Sequence, residues 1–357
     1  MNQPDPLALL EGALRIPSLS GDERAVAEYF VAQMRALGMQ AHVDAAGNAV
    51  GELGAGPPVV LLGHIDTVPG QVPVRMEGGR LYGRGAVDAK GPFATFVAAA
   101  GRLAAAPPAG YRLVLVGAVE EEAASSKGAH YVVGKYAPLA CIIGEPSGWD
   151  RLTLGYKGRL LAEGRWQQPM AHTAGREIAA AERAVAFWNA LAADCAERNA
   201  GKARVFDQIS PSIRSFHTGS DGMADWADMS VGLRLPPGAD PAELAERLGQ
   251  LARQPAGFGG PPELRFRGGC AAYQGDKNNP LVRAMLKGLR AAGGAPGFLL
   301  KTGTSDMNVV GPAWRCPILA YGPGDSALDH TPDEHILVSE YLKSVDVLEH
   351  VLRTLCA

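Results

Sequence analysis

Four short, almost unbroken apolar runs constrain this chain more than any other feature. They are PPVVLLGHID (57–66), YRLVLVGAVEEE (111–122), LACIIGEPS (139–147) and CPILAYGPGD (316–325). A strand that is apolar on both faces must be covered on both faces, as parallel strands joined by helical crossovers are. Helical spacing fills the intervals at 22–37, 93–106, 126–136 and 280–293, with a last helix at 339–355. Asp22 stands where it can cap the first of these helices. The expectation is an α/β domain built on a mostly parallel sheet.

Residues 157–267 have a different texture. GRLLAEGRW and ADMSVGLRL alternate as half-exposed strands do, while REIAAAERAVAFWNALAADCAE and DPAELAERLGQLAR are amphipathic helices. This is an α+β pattern, two helices over one face of a small antiparallel sheet, inserted into the first domain. The larger domain is then 1–156 plus 268–357. A chain of 357 residues is long enough for two cores.

Some function classes drop out on composition. The net charge is −3 and there is no Lys/Arg tract, so nothing suggests a nucleic-acid or anionic-membrane surface. The start, MNQPDPLALLEGALRIPS, has neither a basic leader nor a long apolar core, and no run is long enough to span a bilayer. A cytoplasmic protein is expected. The five cysteines are far apart and form no Cys-x-x-Cys pair, which argues against a disulfide framework and a thiolate zinc site. GRGAVDAKG is neither a Walker loop nor a Gly-x-Gly-x-x-Gly turn, so nucleotide binding is not indicated.

Ligands of an open α/β sheet bind beyond the carboxyl ends of its strands. The residues there are His64 and Asp66 after the first run, Glu120, Glu121 and Glu122 after the second, and Glu145 after the third. His330 lies in the loop GPGDSALDHTPDEH after the fourth, and Asp88, in GRGAVDAKGP, precedes a helix. Each has an ordinary reading by itself. A His-x-Asp pair is weak, a glutamate run is usually solvated, Gly-Glu-Pro is usually a turn, and an acid before a helix is usually a cap. Together they collect two imidazoles and at least three carboxylates on one edge. Carboxylates converging on a buried edge need a counter-charge. Lys90 is the one obvious cation in these motifs, so a divalent metal is the economical answer. Imidazole and carboxylate without thiolate suit Zn²⁺, with Co²⁺ or Mn²⁺ as alternatives.

The strings GHIDTVPG, GRGAVDAKGP, EEE, GEPS and GTSD…LDHTPDE run in order along the chain. They resemble the dinuclear zinc deacylase and carboxypeptidase family, which includes acetylornithine deacetylase, succinyl-diaminopimelate desuccinylase and carboxypeptidase G. The compact length, VEEEAASSKGA, YKGRLL and LDHTPDEHI are most similar to one branch of it. That branch hydrolyses LysW-lysine and LysW-ornithine, releasing the amino acid from the small acidic carrier protein LysW. The resemblance implies a zinc-peptidase-like catalytic domain with an inserted lid and dimerisation domain. It implies hydrolysis of a linear amide in lysine or arginine biosynthesis. The alternative keeps the chemistry with another substrate, as a deacetylase, desuccinylase or dipeptidase. A binding module that kept only the fold is a further reading, disfavoured because the whole motif set is present.

The same resemblance implies roles. Asp88 would bridge two divalent metals, one also held by His64 and Glu145, the other by Glu122 and His330. Asp66 would orient His64, and the Asp88–Ala89 peptide would be cis. Glu121 would be the general base that moves a proton from water to the leaving amine. His172, in QQPMAHTAG, would stabilise the oxyanion from the partner subunit, which requires a homodimer. Its surroundings depart from the family's Gly-x-x-x-His-Ser form, since Thr173 follows it, and a surface histidine is the ordinary alternative. Arg234, in VGLRLPP, with Gly303, Thr304 and Ser305, would hold the carboxylate of the released amino acid. Asp306 reads as structural and Glu120 as merely polar. A one-residue slip would exchange the roles of neighbouring glutamates.

Overall fold

The computed structural model describes residues 5–170, 172, 177–253 and 260–355. The four apolar runs become Pro58–His64, Arg112–Ala118, Ala140–Gly144 and Ile318–Ala320. They lie side by side and parallel in the order Arg112–Ala118, Pro58–His64, Ala140–Gly144, Ile318–Ala320, at the centre of a nine-stranded sheet. Ala49–Gly54 and Gln40–Val43 extend it antiparallel on one side, and Arg151–Tyr156 on the other. From Val59 to His64 and from Leu113 to Ala118 every residue is buried, which is why the sequence shows no alternation there.

Gly63 sits in register with Gly117 on one side and Gly144 on the other. The helix Lys90–Leu103 lies on this row through Phe93 and Phe96. A Cβ on Gly117 would fall 2.8 Å from the Phe93 ring, and one on Gly144 would fall 2.9 Å from the Phe96 ring. Bare backbone at these positions lets the start of the helix settle onto the carboxyl ends of the strands. The helix Val338–Thr354 packs against the same helix and completes that layer.

The first long helix begins at Arg24, and Asp22 does not cap it. The Asp22 amide is engaged in a turn to the Leu19 carbonyl. The position before the helix is Glu23, which makes no side-chain cap bond. Its carboxylate accepts from the amides of Gly21 and Glu120 instead.

The chain divides into two compact units. One takes the sequence up to Gly155, then Gln274–Leu300 and everything from Ser305. The other takes Tyr156–Tyr273 with Lys301–Thr304. Each has its own apolar cluster. In the second unit Ser210–Ser220, Ala224–Leu235, Gly158–Pro169 and Glu263–Cys270 form, in that order, an antiparallel sheet. Burial alternates strictly along Gly158–Pro169, and the helices Ala180–Asn199 and Pro241–Ala252 close its apolar face, bringing Phe187 and Leu248 into one cluster with Trp166. This unit runs past residue 267 because the edge strand continues through a register shift after Arg267 to Cys270. The Gly-Gly-Cys stretch that carries the shift shows no alternation to read. Among the described residues no helix is long and apolar enough to cross a membrane.

Candidate metal centre

The carboxyl edge of the parallel strands collects the first unit's chemistry. His64 ends its strand with 1% of its surface exposed. Its Nε2 is 3.0 Å from Asp88 Oδ1, and its Nδ1 is 3.1 Å from the Asp66 carbonyl and 3.4 Å from Asp66 Oδ1. Asp88 Oδ2 is 3.0 Å from His330 Nε2, which is 2.8 Å from Glu122 Oε1. Asp88 therefore stands between the two imidazoles, one on each oxygen. One ligand atom each from His64, Asp88 and Glu122 lies within 4.8 Å of the others. Asp88 makes no cap for the helix that follows; the preceding position is Ala89, without a side-chain cap bond, and the Asp88–Ala89 peptide is cis.

The triple glutamate is held by its backbone. The Glu120 amide donates to Glu23 Oε1 at 3.1 Å, Glu121 to Asp66 Oδ1 at 3.1 Å, and Glu122 to Asp66 Oδ2 at 3.0 Å. Ser20 Oγ adds a bond of 2.7 Å to Asp66. Asn48 closes the neck of this loop, accepting from the Val119 amide and donating to the Gly128 carbonyl. Glu120 turns away from the imidazoles, bonds Ser125 Oγ and pairs with Lys127, at a left-handed φ of 57°. A non-glycine residue there costs on the order of 1 kcal/mol, which the grip of Glu23 and Asp66 offsets. With the amides so held, the Glu120 side chain meets Ser125 and Lys127 while the Glu122 side chain meets His330.

The electrostatics follow from this packing. Burial, and then the charges of Glu145, Asp306 and Glu122, lift Glu121 well above the usual carboxylate range against the pull of His64. Burial also raises Glu122, though His330 restrains it. Burial pushes Asp306 up to about 7, and its Oδ1 has no hydrogen-bond partner among the described residues. Burial works against a charged His64, yet the bonds to Asp66 and Asp88 raise it. Bonds to Asp88 and Glu122 raise His330 to about 10. The imidazoles are drawn toward the charged state because the acids around them need positive charge. Lys90 does not supply it. Its ammonium donates to the carbonyls of Ala13 and Ile16 at 3.2 and 2.7 Å. The donor set, imidazole and carboxylate on a buried edge, fits divalent cations.

The profile of peptidase family M20/M25/M40 matches residues 60–354. The chain belongs to that family. It is 46% identical over 352 residues to the LysW-lysine hydrolase of Deinococcus radiodurans, covering 97% of this chain and 96% of that one. It is 37% identical to a putative LysW-lysine/LysW-ornithine hydrolase of Thermococcus kodakarensis, covering 98% and 92%. Its fold is that of an M20 metallo-carboxypeptidase from Sulfolobus solfataricus, with a TM-score of 0.80, 99% of both chains covered and 19% identity. This M20/M25/M40 member is a metallohydrolase of amide bonds, and the edge just described is where its motif residues gather.

His64, Asp66, Asp88, Glu121, Glu122, Glu145 and His330 all belong to the first unit of this M20 chain. Glu145 follows its strand, buried, and bears on Glu121 by like charge. Ser305 is there too, with its Oγ accepting from the Met307 amide. Gly303, Thr304, Arg234 and His172 belong to the second unit. Arg234 Nη1 donates to Thr304 Oγ1 at 3.0 Å, so two of the anchors suggested by sequence meet. His172 is exposed, and its neighbours Ala171 and 173–176 lie outside the described residues. Sequence reasoning passed over Glu23, Asn48 and Glu334. The available signal for Glu334 was an acid in LDHTPDEH beyond the one histidine that the metal reading used.

Proposed function

We propose that this chain releases lysine or ornithine from the carrier protein LysW by hydrolysing the amide that joins them. The carrying observation is the 46% identity, end to end, to a LysW-lysine hydrolase, joined to an intact set of acids and imidazoles. Asp88 would be shared by two divalent cations, with His64 and Glu145 on one and Glu122 and His330 on the other. Zn²⁺ suits these donors best and Co²⁺ next. Bound there, such cations supply a Lewis acid for the water and for the scissile carbonyl. Glu121 takes one proton from that water as its oxygen bonds to the carbonyl carbon. The same proton passes to the amine nitrogen as the C–N bond breaks. Asp66 holds the amides of both Glu121 and Glu122 and steadies His64, so it fixes base and ligands in one frame.

LysW-γ-lysine, N-acetylornithine and N-succinyl-diaminopimelate, assayed side by side, test the substrate. Hydrolysis of the carrier conjugate is expected; turnover of the small acyl substrates alone would sink this assignment. The reaction belongs to a cytosolic biosynthetic step.

Two further roles rest on the second unit. Arg234, aimed by Thr304, would bind the carboxylate of the released amino acid. Arg234→Ala should raise KM by roughly 10–100-fold with a smaller change in kcat; an unchanged KM rejects the role. His172 would donate to the oxyanion across a homodimer built on this unit. The edge strand Ser210–Ser220 leaves Ile213 and Phe216 43% and 38% exposed, as a pairing edge would. Sedimentation should find a dimer, and a fully active monomer would end the in-trans role.

A further inference from the structure

Glu334 has no exposed surface, yet it ends a polar loop, DHTPD, that leads into the strand His335–Leu337. A buried carboxylate is costly unless each oxygen is satisfied. Here Oε1 accepts from the amides of Gly85, Val87 and Asp88 at 2.9, 3.0 and 3.1 Å. Oε2 accepts from Arg84 Nη1 at 2.6 Å, and Arg84 Nε is itself tied to the Gly70 carbonyl. Residues 84–88 thus wrap around one carboxylate, and the last amide they offer is that of Asp88.

The topology accounts for the meeting. His335–Leu337 pairs antiparallel with Arg80–Tyr82, His335 opposite Tyr82. The loop entering the first strand and the loop leaving the second therefore start from one end of the pair. The Gly83 amide donates to the Glu334 carbonyl at 3.2 Å and continues the ladder by one bond. The entering loop carries His330 and Glu334 four residues apart; the leaving loop carries Asp88. One five-residue stretch, 330–334, both presents an imidazole to Asp88 Oδ2 and grips the Asp88 amide.

We propose that Glu334 is a positioning residue for the metal centre: it fixes the Asp88 carboxylate relative to His330, so that both cations bind in one geometry. This rests on the reading of Asp88 as the shared ligand. Glu334 touches no reacting atom. Its contribution is the orientation of a ligand, of the kind whose loss costs roughly 10–100-fold in metal affinity.

Co²⁺ titration of the metal-stripped full-length protein tests it, followed by visible absorption and competition with a chelator. Glu334→Gln keeps an oxygen for the amides but presents an amide to Arg84. It should bind Co²⁺ about 10–100-fold more weakly, with an altered visible spectrum. Arg84→Met leaves the three amide bonds in place and should fold where the first variant does not. By loosening the other carboxylate oxygen, it should show a spectral change in the same direction but smaller, with a smaller loss of affinity. Circular dichroism and melting temperature separate ligand positioning from general stability. A lowered melting temperature, with Co²⁺ affinity within threefold of wild type and an unchanged spectrum in whichever variant folds, overturns the proposal. Asp88→Asn is the control for the underlying reading. If that change leaves the affinity and stoichiometry of Co²⁺ intact, it is the bridging role of Asp88 that has failed.

Discussion

Glu121→Gln should retain both cations and lose turnover by roughly 10²–10⁴-fold. The substitution keeps the shape of the side chain and removes only its ability to take a proton. Glu122 meets His330 at 2.8 Å, as a ligand to a shared cation would, whereas His64 acts on Glu121 through its charge. In the metal-free protein, burial and the like charges of Glu145, Asp306 and Glu122 raise Glu121 above the range of a solvated carboxylate. The backbone should not shift, because the Glu121 amide remains bonded to Asp66. Elemental analysis and steady-state kinetics on one preparation check both halves. Activity within tenfold of wild type would assign the base elsewhere. Loss of metal together with activity would mean that the neighbouring glutamates have exchanged roles.

Stripping the metals should abolish turnover, and adding back Zn²⁺ or Co²⁺ should restore it. Stability should respond as well, with a sign set by the imidazoles. In the metal-free protein His64 and His330 hold protons above their ordinary value of 6.5, His330 to about 10. Stability from those contacts is complete below 6.5 and is lost as pH rises through about 10. Cations must displace the same protons, so the apparent affinity for each cation should climb with pH, by up to about one decade per unit for its one imidazole. The gap in melting temperature between loaded and stripped protein should therefore widen from pH 6.5 upward. A gap that stays constant or narrows would show that the imidazoles are not ligands.

The sequence was most legible where chemistry and local pattern coincide. Continuous apolar strands revealed the parallel sheet, and the acids and histidines at their ends marked the edge on which they meet. What stayed hidden depends on contacts between distant segments. Glu23 bonds Glu120 across 97 residues, Asn48 bonds Val119 across 71, and Glu334 bonds Asp88 across 246. No period or cap rule reports an acid that works at such range. Asp22 was an adequate local guess for a helix cap, but the next acid was drawn off to hold the glutamate loop. Glu120 looked merely polar; its left-handed backbone and its contacts to Ser125 and Lys127 are what free its neighbours to face inward.

The row Gly117–Gly63–Gly144 has a bearing on the metal centre as well as on the core. His64 comes from a strand and Asp88 from the turn into the helix, so the gap between those elements is the gap between two of the proposed ligands. Three hydrogen atoms set that gap like a feeler gauge. One methyl at Gly117, 2.8 Å from Phe93, would have to be taken up by the helix or by the strand end. The spacing of the proposed ligands is thus calibrated from beneath, by residues that carry no functional group. Anyone wishing to resize the centre for a different cation would begin with those three positions and leave every ligand untouched.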